Sequence, residues 1–496
     1  MHRLLTRFRA RLAQSPVHLR LFRGSFWSIL GAAVGNLLHA ATGIFIARFL
    51  GREQYGAFGM IRSTLGMFGM LSGLSMGRTM IKFIAELKRK DPGRAGRILS
   101  LARTVTVLTV VAVAGLLFFM APWLAENTLK RPELSPLLRI GAVLLLITTL
   151  NHVQKGSLAG FEAFKTVARI NIIMGVVAPI VAIPMVYFYG LTGAVIKLVI
   201  VAAIGYLLAG LALRERCRAY GIKQSYFDLS ALSERKVIWD FSIPATLSGL
   251  LVMPVVWLTN TILINQTNGY SELGLFNAAN SWRQLAIVIP NILGSVMLPI
   301  LSEAYGREDR KEFSRAFVIN LEITWALALP ATVAVVGFSK PLVALFGPQY
   351  QNALPLMPML LTTAFLFTVN NVVGTAITGS GRMWTGSLFN LAWGVVLIAA
   401  TAVLAPRYGG MGLAYAYLVS YILHSVWQMV YVEKKLAPSA IVGQRKLIFF
   451  TLITLVPVFF LVKGGGLSYV WSAGLVLLSL VPLMGMVRRF SRAKKP

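Results

Sequence analysis

Acid is what this sequence lacks most. Of 496 residues only 17 are Asp or Glu, against 48 Lys and Arg, and charged residues of both signs make up 13%. Soluble domains carry about 25%, so a water-facing globular fold is excluded. Cysteine is nearly absent: Cys217 stands alone, which forbids an internal disulfide and leaves the redox compartment unread. No HExxH, paired CxxC or P-loop pattern occurs, so no metal or nucleotide site is expected. Polar connectors are too short to house a domain of about 50 residues. Neither a soluble catalytic domain nor a cofactor is expected, and the chain is not read as an enzyme.

Hydrophobic residues are present instead, at 56%. Runs from "SFWSILGAAVGNLLHAATGIFIA" to "VWSAGLVLLSLVPLMGMV" are each long enough to cross a hydrocarbon core of about 30 Å as helices. Hydropathy, with Gly, Pro and charge clusters as boundaries, predicts an all-α polytopic membrane protein of about fourteen spans. They lie near 25–49, 55–80, 99–121, 137–157, 169–189, 192–213 and 239–264, then near 273–302, 316–338, 355–378, 384–405, 411–432, 446–463 and 467–487.

The net charge of +31 does not point to nucleic acid, because the basic residues gather on alternate connectors. The N-terminal segment holds Arg3, Arg7, Arg9, Arg11, Arg20 and Arg23; the connector after span two holds Lys82, Lys88, Arg89, Lys90, Arg94 and Arg97. Further groups follow spans six, eight and twelve, and the tail ends with Arg488, Arg489, Arg492, Lys494 and Lys495. Opposite connectors such as "NQTNGYSEL" are nearly free of basic charge. By the positive-inside rule both termini are cytoplasmic, and the basic connectors are placed against anionic lipid headgroups.

The halves resemble each other at an offset of about 218 residues. "REQYGAF" (52–58) falls on "YSELGLF" (270–276), pairing Gly56 with Gly274, and Glu86 falls on Glu303. "RINIIMGVVAPIVAIPMVYFYGLTGAV" (169–195) falls on "LFNLAWGVVLIAATAVLAPRYGGMGLA" (388–414), pairing Gly190 and Gly193 with Gly409 and Gly412. Six spans separate equivalent points, so the repeats run parallel, as in transporters with a site at the repeat interface. The expected organisation is a basic N-terminus (1–24), an N-lobe (25–213), a basic linker (214–238) and a C-lobe (239–432). Two extra helices (446–487) and a basic tail (488–496) complete it.

"ARFLGREQYGAFGMIRSTLGMFGMLSGLSMGRTMIKFIAEL" resembles the opening helices of the polysaccharide biosynthesis, Wzx-like oligosaccharide flippases. "YSELGLFNAANSWRQLAIVIPNILGSVMLPILSEAYG" resembles their eighth helix, and "YFYGLTGAVIKLVIVAAIGYLL" and "RYGGMGLAYAYLVSYIL" the helix-turn pairs closing each lobe. The resemblance implies the multidrug/oligosaccharidyl-lipid/polysaccharide flippase superfamily, with two pseudo-symmetric six-helix bundles around a central cavity. It implies transport of an isoprenyl-pyrophosphate-linked oligosaccharide across the cytoplasmic membrane by alternating access, alongside polymerase and ligase machinery. Alternatives within the superfamily are a cation-coupled multidrug antiporter and a lipid II-type peptidoglycan precursor flippase.

Charged residues inside spans are the candidate site. Arg62 lies about 10 Å into span two, counted from Tyr55, and Arg283 lies in the pseudo-equivalent span eight. Two guanidinium groups suit a pyrophosphate, which they can grip in bidentate pairs; snorkelling to an interface is the plain alternative. Arg48, Lys197, His39 and Asn36 are further cavity candidates. Acid is scarce: Glu322 and Asp240 are candidates for coupling, and the repeat pair Glu86 and Glu303 for a cytoplasmic gate, with Lys82 a suitable partner for Glu86. Gly66, Gly69, Gly73 and Gly77 give span two a small-residue edge for close helix packing.

Overall fold

The computed structural model describes residues 16–223, 225, 228–243, 246, 250–287, 297–298, 300–463 and 469–481. The N-terminal arginines before residue 16, the basic tail, the triglycine at 464–466 and parts of spans seven and eight lie outside the described residues.

Every element among the described residues is helical. The α-helices are α1 (Pro16–Leu71), α2 (Met76–Leu87), α3 (Pro92–Trp123), α4 (Ser135–Gly160), α5 (Phe164–Ala219) and α6 (Val252–Ile264). There follow α7 (Gly269–Ala286), α8 (Arg310–Gly337), α9 (Ser339–Ala344), α10 (Leu356–Gly379), α11 (Met383–Lys435), α12 (Arg445–Lys463) and α13 (Tyr469–Ser479). Among the described residues seven helical segments are long and apolar enough to cross a membrane. The chain is a multi-pass helical membrane protein.

Three helices hold two spans each. α1 and α5 have 56 residues and α11 has 53; a straight helix of that length would measure about 80 Å, far beyond a hydrocarbon core of about 30 Å. Each breaks at one glycine: Gly51 (φ 75, ψ 165), Gly190 (φ 53, ψ −129) and Gly409 (φ 55, ψ −132). These angles are open to glycine and strained for any residue with a Cβ. Gly190 and Gly409 are the repeat equivalents aligned in the sequence, and they share one backbone conformation. Their partners agree too: a Cβ on Gly193 would stand 1.8 Å from the Met185 carbonyl oxygen, and one on Gly412 2.2 Å from that of Leu404.

Span two departs from the uninterrupted 55–80 helix expected. α1 stops at Leu71 and α2 starts at Met76, with positive φ at Gly73, Leu74 and Ser75. The backbone freed there is satisfied locally, as it must be in lipid: Gly73 N–H donates to Thr109 Oγ1 at 3.0 Å, and the Ser72 and Thr149 hydroxyls lie 2.9 Å apart. Beyond the break, the expected close packing holds at Gly77, since a Cβ on Gly156 would stand 2.1 Å from the Gly77 carbonyl oxygen.

The chain divides into two compact units. One comprises Met1–Thr42, Thr64–Asn127 and Arg131–Leu250; the other comprises Gly43–Ser63, Thr128–Lys130 and Leu251–Pro496. The first is built on a core that includes Met80, Ile84, Leu99, Leu158 and Leu213, all fully buried. The second is built around Phe313, Phe317, Leu321, Leu329 and Val373. Residues 43–63 of α1, with Arg48 and Arg62, thus belong with the C-terminal helices.

Candidate functional site

Inside the second unit the repeat-equivalent glycines meet. A Cβ on Gly56 would lie 1.8 Å from the Tyr270 carbonyl oxygen, and a Cβ on Gly274 1.8 Å from that of Arg52. Residue 270 is the repeat equivalent of 52, so the contact is reciprocal, as at a two-fold axis. Further along, a Cβ on Gly59 would meet the Asn277 side chain, again its own equivalent. α1 and α7 therefore cross in parallel at backbone distance, which only glycine permits.

Both arginines lie beyond this crossing in the same chain direction. Arg62 is about 9 Å and Arg283 about 14 Å past their glycines along the helix axes. Arg62 is exposed, with its guanidinium 5.8 Å from the Phe58 ring centroid. Arg283 is half-buried: its Nε donates to Asn280 Oδ1 at 2.7 Å, and its guanidinium lies 5.8 Å from the Tyr417 ring. One terminal nitrogen, Nη1, is buried without an acceptor. A buried charged donor left unpaired is costly, and an anion beside it would remove that cost. Among the described residues no carboxylate forms an ion pair with either arginine.

α11 supplies groups that the sequence reading passed over. Tyr417, Tyr421, His424 and Gln428 recur at helical spacing on one face, and all four are buried. The Tyr417 and Tyr421 rings stack 6.4 Å apart beside Arg283. Trp427 Nε1 donates to His424 Nδ1 at 3.1 Å, so Nδ1 is an acceptor and Nε2 carries the proton. Nε2 lies 2.9 Å from the Gln428 amide nitrogen, while the Gln428 amide oxygen has no partner. Turning that amide over satisfies both groups and leaves a neutral, fully bonded imidazole. The i, i+4, i+7 stripe of polar residues was the available signal.

The other candidates are more dispersed. In the second unit, the Arg48 side-chain stem packs near Gly347, and Glu322 accepts from Gln444 Nε2 at 3.1 Å. Glu303 pairs with Arg307 on an exposed turn. In the first unit, Asn36 and His39 are exposed one turn apart, Lys197 is buried, and Asp240 and Glu86 are exposed. Lys82 does not pair with Glu86 as expected; its ammonium lies 4.7 Å from the Phe241 ring and 5.1 Å from the Phe83 ring. Apolar faces on both sides draw the long stem away from the solvated carboxylate. No group of three His, Cys, Asp or Glu among the described residues is placed to hold a metal.

Comparison with known proteins gives this arrangement a family. The description "Polysaccharide biosynthesis protein" matches residues 21–305, more than half of the chain. The chain belongs to the polysaccharide biosynthesis protein family. A second description, MatE, matches residues 244–403. A putative O-antigen transporter of Shigella flexneri is 22% identical over 82% of this chain and 96% of its own length. The EPS I polysaccharide export inner membrane protein EpsE of Ralstonia nicotianae is 24% identical over 77% of this chain and 86% of its own. The solved inward closed structure of the lipid II flippase MurJ superposes with a TM-score of 0.67 at 15% identity, covering 94% of this chain and 99% of that one. That likeness shows that the two chains share a fold.

Proposed function

We propose that the chain is a flippase that carries an isoprenyl-pyrophosphate-linked oligosaccharide from the cytoplasmic to the outer leaflet of the cytoplasmic membrane for surface polysaccharide assembly. Family membership and the named relatives support this reading. The observation that carries it is the arginine pair beyond the Gly56–Gly274 crossing, with Arg283 Nη1 buried and unpartnered. Guanidinium stays charged in a low dielectric and forks onto phosphate oxygens. Arg62 and Arg283 are assigned to the pyrophosphate. Arg48, Lys197, Asn36 and His39 are proposed as further substrate contacts, and Glu86 and Glu303 as gate residues.

In this reading both termini are cytoplasmic, residues 25–213 and 239–432 are the two rocking bundles, and 214–238 links them. The protein makes and breaks no covalent bond; a polymerase or ligase consumes the flipped product. The MatE match favours a drug antiporter as second reading. Against it, the best intramembrane acid, Glu322, is half-buried and bonded to Gln444, and the arginines favour an anion.

The test is export of surface polysaccharide in cells carrying R62A, R283A and the double variant, with membrane levels of each protein measured. Each single variant is expected to abolish export while the protein still inserts, and R283K is expected to restore part of it. Normal surface glycan in the double variant would rule the pyrophosphate assignment out. Drug hypersensitivity without loss of glycan would move the chain to the antiporter reading.

A further inference from the structure

We infer that the first unit carries a separate site for a phosphate-bearing lipid, which takes the headgroup of an anionic phospholipid at the C-terminal end of α5. The site lies outside the proposed substrate path, and the inference does not depend on flipping. A cavity of about 460 Å³ opens there between α3, α4 and α5, a volume suited to a small ligand or headgroup. Arg103, Gln154, Arg214 and Arg218 line it, and no carboxylate is among its lining residues.

Two of these side chains are built into the fold. Arg103 is 7% and Gln154 6% exposed, and the Gln154 amide oxygen is buried without a partner. The unsatisfied atom is an acceptor, which is expensive to leave unpaired and which a water or a headgroup hydroxyl, not the phosphate, would satisfy. Arg214 and Arg218 are exposed, and among the described residues neither forms an ion pair. The two exposed guanidinium groups, Arg214 and Arg218, select an anion, and their planar forks fit phosphate oxygens.

The choice between a soluble phosphate and a lipid is made by the rest of the wall. Leu207 and Leu211 also line the cavity and are each 62% exposed. With Arg214 and Arg218 they form one stripe along a single face of α5, spaced by one helical turn. The apolar part of the stripe begins at Leu211, about 5 Å along the helix from Arg214, and runs on to Leu207. A free anion would have no use for that apolar continuation, whereas an acyl chain would lie along it with its phosphate between the arginines. α5 ends in the basic connector after span six, where the positive-inside rule places the anionic leaflet.

The test uses the full-length protein, purified in mild detergent and analysed by native mass spectrometry after exchange into phosphatidylglycerol or phosphatidylcholine micelles. Wild-type protein is expected to retain one phosphatidylglycerol under washing that removes phosphatidylcholine. Inorganic phosphate at millimolar concentration is expected not to displace it. R214Q/R218Q should weaken retention by roughly thirtyfold, from two arginines at an anionic surface, and R214K/R218K should keep most of it. Both arginines are exposed, and a thermal unfolding curve for each variant checks that the fold is intact. Equal retention of phosphatidylglycerol by the Gln variant, or equal binding of phosphatidylcholine, overturns the site. Displacement by inorganic phosphate overturns the lipid assignment in favour of a soluble anion. Glycan export is not the readout, so failure here leaves the proposed function untouched.

Discussion

Gly190 and Gly409 occupy the same place in the two repeats and have nearly the same backbone, φ/ψ of 53/−129 and 55/−132. Their surroundings differ. At the C-terminal hinge, Glu272 Oε2 accepts from Gly410 N–H at 2.8 Å, so a carboxylate holds the amide that restarts the helix. At the N-terminal hinge the described residues provide no such side chain on Leu191. The shared angles are what a reversal between two spans demands. The carboxylate is an addition, placed where a helix N-terminus favours negative charge. Conformation is thus common to the repeats, and bracing is particular to one of them.

The sharpest way to break this comparison is to place a Cβ on each hinge. Holding a non-glycine residue at such angles costs about 1–3 kcal/mol. At Gly409 the new Cβ would also stand 2.8 Å from Glu272 Oε2, and overpacking adds about 1–3 kcal/mol. G409A is therefore expected to lower the thermal unfolding midpoint of the purified protein more than G190A, although both lose stability. Equal losses would mean that Glu272 moves aside freely and braces nothing.

Removing the brace is the next largest effect. Glu272→Ala leaves the Gly410 N–H without its acceptor, at about 1–3 kcal/mol. Glu272→Gln keeps an acceptor and loses only the charge, for which a smaller loss of about 1 kcal/mol is expected. The order Ala, then Gln, then wild type in denaturant midpoint supports a charge-assisted cap. If E272A unfolds like wild type, the hinge stands on glycine alone and the two repeats are equivalent after all.

Much of this was legible in the sequence because glycine leaves a mark where backbones bend or touch. Gly56, Gly274, Gly190 and Gly409 were found by alignment of the halves, and each proved to sit at a crossing or a hinge. Membrane class was legible from composition. Long-range support was not. Glu272 serves a glycine 138 positions away by sequence number, and Gln349 and Tyr350 serve residues some 300 away; no local pattern encodes such partners. The break at Gly73 was hidden because its glycine fitted the packing edge equally well. The His424 stripe was missed because tyrosine, histidine and glutamine at helical spacing look like ordinary interior polarity.

The turn at Gly51 offers a third case and the smallest expected effect. Here too a side chain meets the amide after the glycine: Arg52 N–H donates to Gln349 Oε1 at 3.4 Å, and the Tyr350 hydroxyl donates to the Ala47 carbonyl oxygen at 2.8 Å. Burial, and then neighbouring Tyr55, push the Tyr350 hydroxyl above its usual titration range, so it remains a donor at neutral pH. Tyr350 is fully buried and packs edge-on against Tyr55. Tyr350→Phe keeps that packing and removes one hydrogen bond, for a loss of about 0.5–1.5 kcal/mol. The Gln349 bond is longer and exposed, so Q349A should cost less than Y350F. If Q349A instead matched E272A in unfolding midpoint, bracing would depend on the amide contact and not on its charge. Glu272 would then have no special standing among the three turns.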